Sequence, residues 1–276
     1  MENTDLEELL QTIRNDRGLD LSGYKESFLM RRLNSRLRVL GIHDIKNYAS
    51  FLRNNPAEYA KLIDVLSINV TEFFRDVSMY RQFSQKILPD LIESRLRTKA
   101  KILRFLSAGG ATGEEAYSIA ILCREALREH ADDITASVML IDIDPDALRK
   151  ARAAVYSLDR LKNVPSDILS RYFVREEDGK KYRVINEIRN MVSMSRLDLL
   201  TCRLPKFFDV IFCRNVLIYF SRDAHSDLFM RLYNSLVMDG YLILGRTETL
   251  LGANKNLFET VDARERIYRK RQINVI

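Results

Sequence analysis

Apolar positions recur at helical spacing through the first third of the chain. Leu6, Leu9, Leu10 and Ile13 fall on one helix face, and Leu29, Leu33, Leu37 and Leu40 on another. Gly18, Gly23, Gly41 and the run Asn54-Asn55-Pro56 lie between such stripes, where helices are interrupted. No β-branched alternating run occurs before residue 95. The pattern predicts a small all-helical domain over residues 1–95.

The period changes near Thr98. Ile102–Leu106 is a short apolar run, followed by a glycine-rich turn from Ser107 to Gly113 and a helical stretch, Glu114–Glu129. A second apolar run, Val138–Ile141, ends in Asp142-Ile143-Asp144-Pro145, and another helix is expected over Asp146–Val155. Strand, loop, helix, strand, acid, helix is the order of a βαβ unit in a parallel sheet. Further strands are predicted at Met191–Ser195, Val210–Cys213 and Tyr241–Leu244, with a helix from Arg222 to Leu236 and a closing antiparallel pair at Phe258–Val261 and Arg266–Arg269. Arg171–Ile188 breaks the alternation. Tyr172-Phe173-Val174, a turn at Asp178-Gly179 and Tyr182-Arg183-Val184 read as an inserted β-hairpin, about 171–190. The predicted architecture is α/β over 96–276, a Rossmann-like domain with a small β insertion, preceded by the helical domain.

The chain has 276 residues, enough for a core in each domain. No apolar run approaches the roughly 18 residues that span a bilayer, and the acidic start MENTDLEELL is unlike a secretion signal. Three cysteines without a CxxC suggest neither a disulfide framework nor a metal site, so a reducing cytoplasm is expected. The net charge of +6 invites a nucleic-acid reading. However, residues 1–95 hold as many acids as bases, and part of the excess lies in Arg264, Arg266, Arg269, Lys270 and Arg271, a solvated end.

Glycine after a first strand lets the backbone turn sharply and approach a ligand. Dinucleotides use a GxGxxG spacing, with the pyrophosphate at the helix start. Here the spacing differs and Glu114-Glu115 open the helix, where carboxylates repel phosphate. They suit a cofactor carrying an amine and a sulfonium, S-adenosylmethionine; a plain turn with acids at the helix N-terminus is the other reading. Asp142, closing the second strand, is placed to accept hydrogen bonds from ribose hydroxyls.

At Ser107–Ala120, SAGGATGEEAYSIA resembles the signature of the chemotaxis-receptor glutamate methyltransferases, the CheR family. Four further blocks agree in order: NVTEFFRD (Asn69–Asp76), IDIDPDALRKARAAVY (Ile141–Tyr156), DVIFCRNVLIYF (Asp209–Phe220) and GYLILGRTETL (Gly240–Leu250). The resemblance runs from about Tyr24 to Tyr268. It implies a helical N-terminal domain and a class I methyltransferase domain with a small β insertion. It also implies a cofactor site of Asn69, Thr71, Arg75, Ala108, Gly109, Glu115, Asp142, Asp198, Leu199, Asn215 and Val216. Glu115 would hold the methionyl amine region, Asp142 the ribose, and Asp198 with Leu199 the adenine. Gly110, Ala111 and Ala116 depart from the family's usual Cys, Ser and Pro as small-for-small changes. Arg246 stands where the family commonly has His, which bears on local substrate contacts.

A glutamate carboxylate, with a pKa of about 4.3, is already a nucleophile at neutral pH, so no general base is needed. Arg75 is expected to orient that carboxylate and Tyr219 to shape the methyl site. Phe73, Phe74 and Cys213 read as core, and the three histidines as incidental. Lys25, Arg32 and Arg36 along one flank of the Leu29–Leu40 stripe, with Arg31 and Arg38 opposite it, read as either a solvated face or a docking surface for an acidic receptor helix, which the resemblance favours. The expected partner is the helical cytoplasmic part of a chemoreceptor, met by a monomer without nucleic acid, metal or membrane insertion. Two rivals share the fold. A nucleic-acid methyltransferase lacks support, since neither an Asn-Pro-Pro-aromatic run nor a Pro-Cys nucleophile occurs. A non-catalytic relative that binds the cofactor or a receptor is the other.

Overall fold

A computed structural model of the chain describes residues 2–66 and 70–272. The helices α1 (Glu2–Arg17), α2 (Glu26–Leu40), α3 (Ile45–Asn54) and α4 (Pro56–Leu66) come first. They enclose a core that includes Leu6, Leu9, Ile13, Leu29, Leu33 and Leu37, the stripes read from the sequence, with Leu10 and Leu40 at its margin. Gly41 ends α2 in the left-handed conformation, φ 67°, which glycine adopts without steric cost. Asp44 caps α3 by accepting from the Asn47 amide at 2.7 Å.

Inside this domain Glu58 is buried, and a buried carboxylate needs a partner. Arg36 supplies it through two bonds, Nε to Oε1 at 2.5 Å and Nη2 to Oε2 at 2.6 Å, while the Tyr48 hydroxyl donates at 3.2 Å. Arg36 was expected on the docking surface. Its guanidinium is instead spent on the domain's own interior.

Residues 77–98 correct a second expectation. α5 (Val77–Gln82) and α6 (Leu88–Thr98) are joined by a π-helical turn, Phe83–Ile87. They bury Met79, Tyr80, Phe83, Ile87, Leu88, Leu91 and Ile92 in the same core as Leu103, Phe105 and Phe212 of the sheet. Phe83 meets Phe105 and Phe212 edge-on, with centroids 6.0 and 5.1 Å apart. The helical core therefore ends before residue 70 and not at 95. Apolar periodicity says that a helix buries a face, not which core receives it.

The rest alternates strands and helices. In chain order these are β1 (Ile102–Ala108), α7 (Glu114–Ala126), β2 (Thr135–Asp142), α8 (Pro145–Ala153), β3 (Val155–Ser157), α9 (Ser166–Tyr172), β4 (Phe173–Arg175) and β5 (Lys181–Val184). α10 (Asn186–Asn190), β6 (Val192–Arg196), β7 (Phe208–Cys213), α11 (Arg222–Ser235), β8 (Leu236–Leu244), β9 (Phe258–Asp262) and β10 (Ile267–Lys270) follow. The main sheet runs β6-β2-β1-β7-β8-β10-β9. Its first five strands are parallel, while β10 is antiparallel to both β8 and β9. β7 is buried at every position, as a central parallel strand covered on both faces must be. The expected hairpin is β4–β5, and β3 joins it to make a three-stranded sheet. The helix expected to reach Val155 stops earlier, because Ala154 turns left-handed at φ 53° and Val155 pairs with Arg183.

The two domains are stitched by a short antiparallel contact. Tyr24 bridges Phe220, the Lys25 amide donates to the Tyr219 carbonyl at 2.9 Å, and the Ser221 amide donates to the Gly23 carbonyl at 2.8 Å. Among the described residues no helix is long and apolar enough to cross a membrane.

Arg36→Ala removes both strong donors to Glu58 and leaves a buried carboxylate with the Tyr48 hydroxyl alone. It should cost about 3 kcal/mol of unfolding free energy, read from the urea midpoint. An unchanged midpoint would show that the pair adds nothing.

Candidate active site

The site is built where β1, β2 and β7 end. After β1 the amides of Gly109 and Gly110 donate to the Ile141 carbonyl at 2.8 and 3.2 Å, folding the loop onto β2. A Cβ on Gly109 would lie 2.6 Å from Val216 Cγ2, and one on Gly110 2.7 Å from both Leu140 Cγ and Ser107 Oγ. At Gly109 the backbone is also left-handed, φ 72°, so a larger residue there would be strained as well as crowded.

Three carboxylates fix the surrounding turns. Asp142 accepts from the amides of Ala111 at 2.8 Å and Asp144 at 2.9 Å. Burial pushes its pKa up, and the backbone bonds from Asp144 and Ala111 pull against that. Glu115 accepts from Ser107 Oγ at 2.8 Å and from Arg214 Nη1 at 3.3 Å. Its pKa is also raised by burial, with Arg214 opposing. Glu248 accepts from the amides of Asn215 at 2.8 Å, Leu217 at 2.8 Å and Gly245 at 2.7 Å. That holds Asn215 in the left-handed conformation, φ 59°.

These turns border a cleft with two adjoining lobes. The first, about 750 Å³ out to its mouth, is mostly apolar and is lined by Asp142, Ile143, Leu197, Asp198, Leu199 and Val216 from the sheet domain. The helical domain supplies its other wall with Leu19, Leu21, Tyr24, Ile63 and Leu66. The second lobe, about 720 Å³, is polar and carries Thr71, Arg75, Glu115, Arg214 and Tyr219. Gly109, Ala111, Asn215 and Tyr219 border both.

Most residues expected from the sequence converge here. Asp142, Asp198, Leu199 and Val216 line the apolar lobe, Thr71, Arg75 and Glu115 the polar one, and Gly109, Asn215 and Tyr219 their junction. Ala108 is fully buried at the end of β1 and lines neither lobe. Asn69 lies outside the described residues. Of the basic residues on or beside α2, Arg31 and Arg32 act with Arg75 on Tyr219: burial raises its hydroxyl pKa, and these three cations draw it back. Arg32 also lies over the Phe28 ring, which packs 4.9 Å from Tyr219. Lys25 Nζ donates to the Ile218 carbonyl at 2.8 Å, at the rim of the polar lobe. Arg38 is exposed at the far end of α2.

Sequence reading passed over several residues that shape the site. Arg214, 7% exposed, donates to Glu115, to Asp76 Oδ2 at 2.5 Å and to the Arg75 carbonyl at 3.1 Å. An arginine directly after the apolar run Val210–Cys213 was the available signal for it. Glu248 sat in a quoted motif without a role. The apolar wall from the helical domain had no signal beyond ordinary core periodicity.

The donor set fits S-adenosylmethionine. Asp198 Oδ1 accepts from the Leu200 amide at 2.8 Å, but its buried Oδ2 has no partner. An exocyclic amine such as adenine's would supply the missing donor. Asp142 retains acceptor capacity for a ribose hydroxyl, and Glu115 offers a carboxylate to an ammonium group.

Among known proteins, residues 4–67 match the family model described as CheR methyltransferase, all-alpha domain, and residues 69–267 match the one described as CheR methyltransferase, SAM binding domain. The chain is 34% identical over 257 residues to the chemotaxis protein methyltransferase of Borreliella burgdorferi, spanning 92% of this chain and 90% of that protein. It is 36% identical over 246 residues to the Salmonella typhimurium protein of that name, spanning 87% and 82%. The Escherichia coli protein is 34% identical over 244 residues, spanning 86% and 82%.

Binding of a cationic amine needs Glu115 ionised, and ionised Asp142 is the better ribose acceptor. Both pKa values are raised, so the ionised forms are lost as pH falls through values above the ordinary carboxylate range. Affinity for S-adenosylhomocysteine, measured by calorimetry, should fall as the pH is lowered through values above the ordinary carboxylate range, and Glu115→Gln should bind more weakly at neutral pH with a shallower profile. A flat wild-type profile would place both titrations lower.

Proposed function

The chain belongs to the CheR methyltransferase family, and on that premise we propose that it esterifies glutamate side chains of chemoreceptors with methyl drawn from S-adenosylmethionine. One observation carries this reading. Arg75, Tyr219 and Glu115 share a polar lobe that adjoins a mostly apolar one lined by Asp142 and Asp198.

When bound, S-adenosylmethionine supplies an electrophilic methyl on a sulfonium. The apolar lobe takes the adenosyl group, with Asp142 on the ribose, Asp198 on the adenine amine and Glu115 on the methionyl amine. Asn215 and Tyr219, which border both lobes, would flank the cofactor's reacting end. Arg75 spends one donor on its own loop, Nη1 to the Val70 carbonyl at 2.9 Å, and presents the rest of its guanidinium to the lobe. There it pairs with the incoming substrate carboxylate and turns one oxygen toward the methyl. The cofactor would supply the methyl to that oxygen with loss of its own C–S bond, cancelling the substrate's negative charge, so the protein's part is to hold the two groups in line. No proton has to move, in keeping with a site that positions and holds no histidine. Leu19, Leu21, Ile63 and Leu66 keep water from the nucleoside side.

The substrate approaches past Arg31 and Arg32. With Arg75 they put positive charge within reach of Tyr219, which suits an acidic helix and a fast, salt-sensitive encounter. The enzyme works in the cytoplasm, where receptor signalling helices and the methyl donor are both found.

Transfer of labelled methyl from S-adenosylmethionine to a receptor cytoplasmic fragment, with RNA as the control substrate, tests the reading. Base-labile label on the receptor and none on RNA is expected; label on RNA alone would overturn it. Arg75→Ala should lower kcat/KM by about 100-fold or more with S-adenosylhomocysteine affinity changed far less. Charge reversal at Arg31 and Arg32 should raise the receptor KM about tenfold at low salt, with the difference shrinking as salt is added. Unaltered kinetics at low salt would move the docking surface elsewhere.

A further inference from the structure

We infer that Arg246 and Glu265 are positioning residues for methyl transfer: from the outer side of the segment 70–76 they hold Asp76, and through Asp76 the guanidinium of Arg75. The kinetic part of this inference rests on the role of Arg75 proposed above.

Arg75 lies between two non-glycine residues in the left-handed region, Phe74 at φ 52° and Asp76 at φ 65°. Such a backbone persists only where its surroundings over-determine it. Its inner side is well held. The Phe74 amide donates to Ser118 Oγ at 3.0 Å, and the Phe74 ring meets Tyr80 edge-on at 5.4 Å. Arg214 Nη2 reaches both the Arg75 carbonyl and Asp76 Oδ2.

The outer side hangs on one chain of contacts. Asp76 Oδ1 faces Arg246 Nε at 3.5 Å. Arg246 Nη2 donates to Ser78 Oγ at 2.5 Å, and Ser78 Oγ donates to Glu265 Oε1 at 2.8 Å. Glu265 is 4% exposed in the turn between β9 and β10, and its Oε2 lies 3.6 Å from Arg246 Nη2. The backbone of Arg246 is fixed too: its carbonyl accepts from Arg266 Nε at 3.2 Å, and the preceding Gly245 amide is bound to Glu248.

Arg246 is half exposed and lines neither lobe. Core packing is therefore a poor account of it. One guanidinium reaches Asp76, Ser78 and Glu265 together. Arg246 reaches Asp76 and Ser78, and Asp76 sits between two cations, Arg214 within and Arg246 without.

The test uses the full chain as Arg246→Ala, Arg246→Lys and Glu265→Gln. Three readouts are taken: receptor methylation kinetics, calorimetry with S-adenosylhomocysteine, and the ¹⁵Nε–H resonance of Arg75. Arg246→Ala should lower kcat about tenfold while receptor KM and S-adenosylhomocysteine Kd stay within about twofold, because placement and not binding is lost. The Arg75 resonance, sharp in the wild type, should broaden. Glu265→Gln should move both readouts the same way by less. Arg246→Lys should recover part of kcat, since an ammonium still reaches Asp76. An unchanged kcat with a sharp Arg75 signal overturns the inference, even if the melting temperature drops. A rise in receptor KM alone also overturns it and makes Arg246 a substrate contact. A wild-type chain that methylates no receptor would sink the functional proposal, while the resonance would still decide this one.

Discussion

Carboxylates taken out of water must be given donors, and this molecule gives them the amides of its own turns. Asp142 organises the glycine loop through Ala111 and the start of α8 through Asp144. Glu248 gathers three amides and bends the chain at Asn215. Each carboxylate thereby shapes a backbone segment that borders the cleft. Because backbone donors are fixed in space, the acceptors that remain free are fixed as well, and the site is organised before any ligand enters. Glu115 and Asp142 titrate upward for the same reason: they are buried, and their partners offset only part of the lost hydration.

The second organising feature is the attachment of the helical domain. It does not merely precede the sheet domain. Residues 23–25 run beside 219–221, so the helical domain is bonded to the backbone of Tyr219 itself. That contact sets Leu19, Leu21 and Tyr24 over the apolar lobe and brings Arg31 and Arg32 within electrostatic reach of the Tyr219 hydroxyl. A cofactor wall and a substrate-facing charge surface thus come from one small bundle. Residues 70–76 then hold Arg75 at the polar lobe in a conformation their neighbours impose.

Much of this was legible along the chain. Helical stripes gave α1 and α2, and alternating short apolar runs gave the parallel core of the sheet. The loop from Ser107 to Glu115, with Asp142 after the next strand, pointed to a nucleoside cofactor without phosphate. The matched blocks then named Arg75, Asn215 and Tyr219, which share the cleft. Less legible were features that depend on what lies opposite. The stripe of α5 and α6 looked like one more helix of the bundle, yet it packs on Phe105 and Phe212. Arg36 looked like its neighbours, yet it alone faces Glu58.

The sequence by itself determined the elements, the cofactor loop and the chemical character of the residues around it. These are local: turn geometry, side-chain period and ionisation follow from neighbours a few positions away. The tertiary structure alone decided which arginines remain available to a substrate, which carboxylates hold turns, and which helices belong to which core. Arg36, Arg214 and Arg246 carry the same group, and only the distance to Glu58, Glu115 or Asp76 separates their roles. Charge at a position is written in the chain, but its partner is chosen by folding, since the energy of a pair depends on separation and burial that no linear pattern contains.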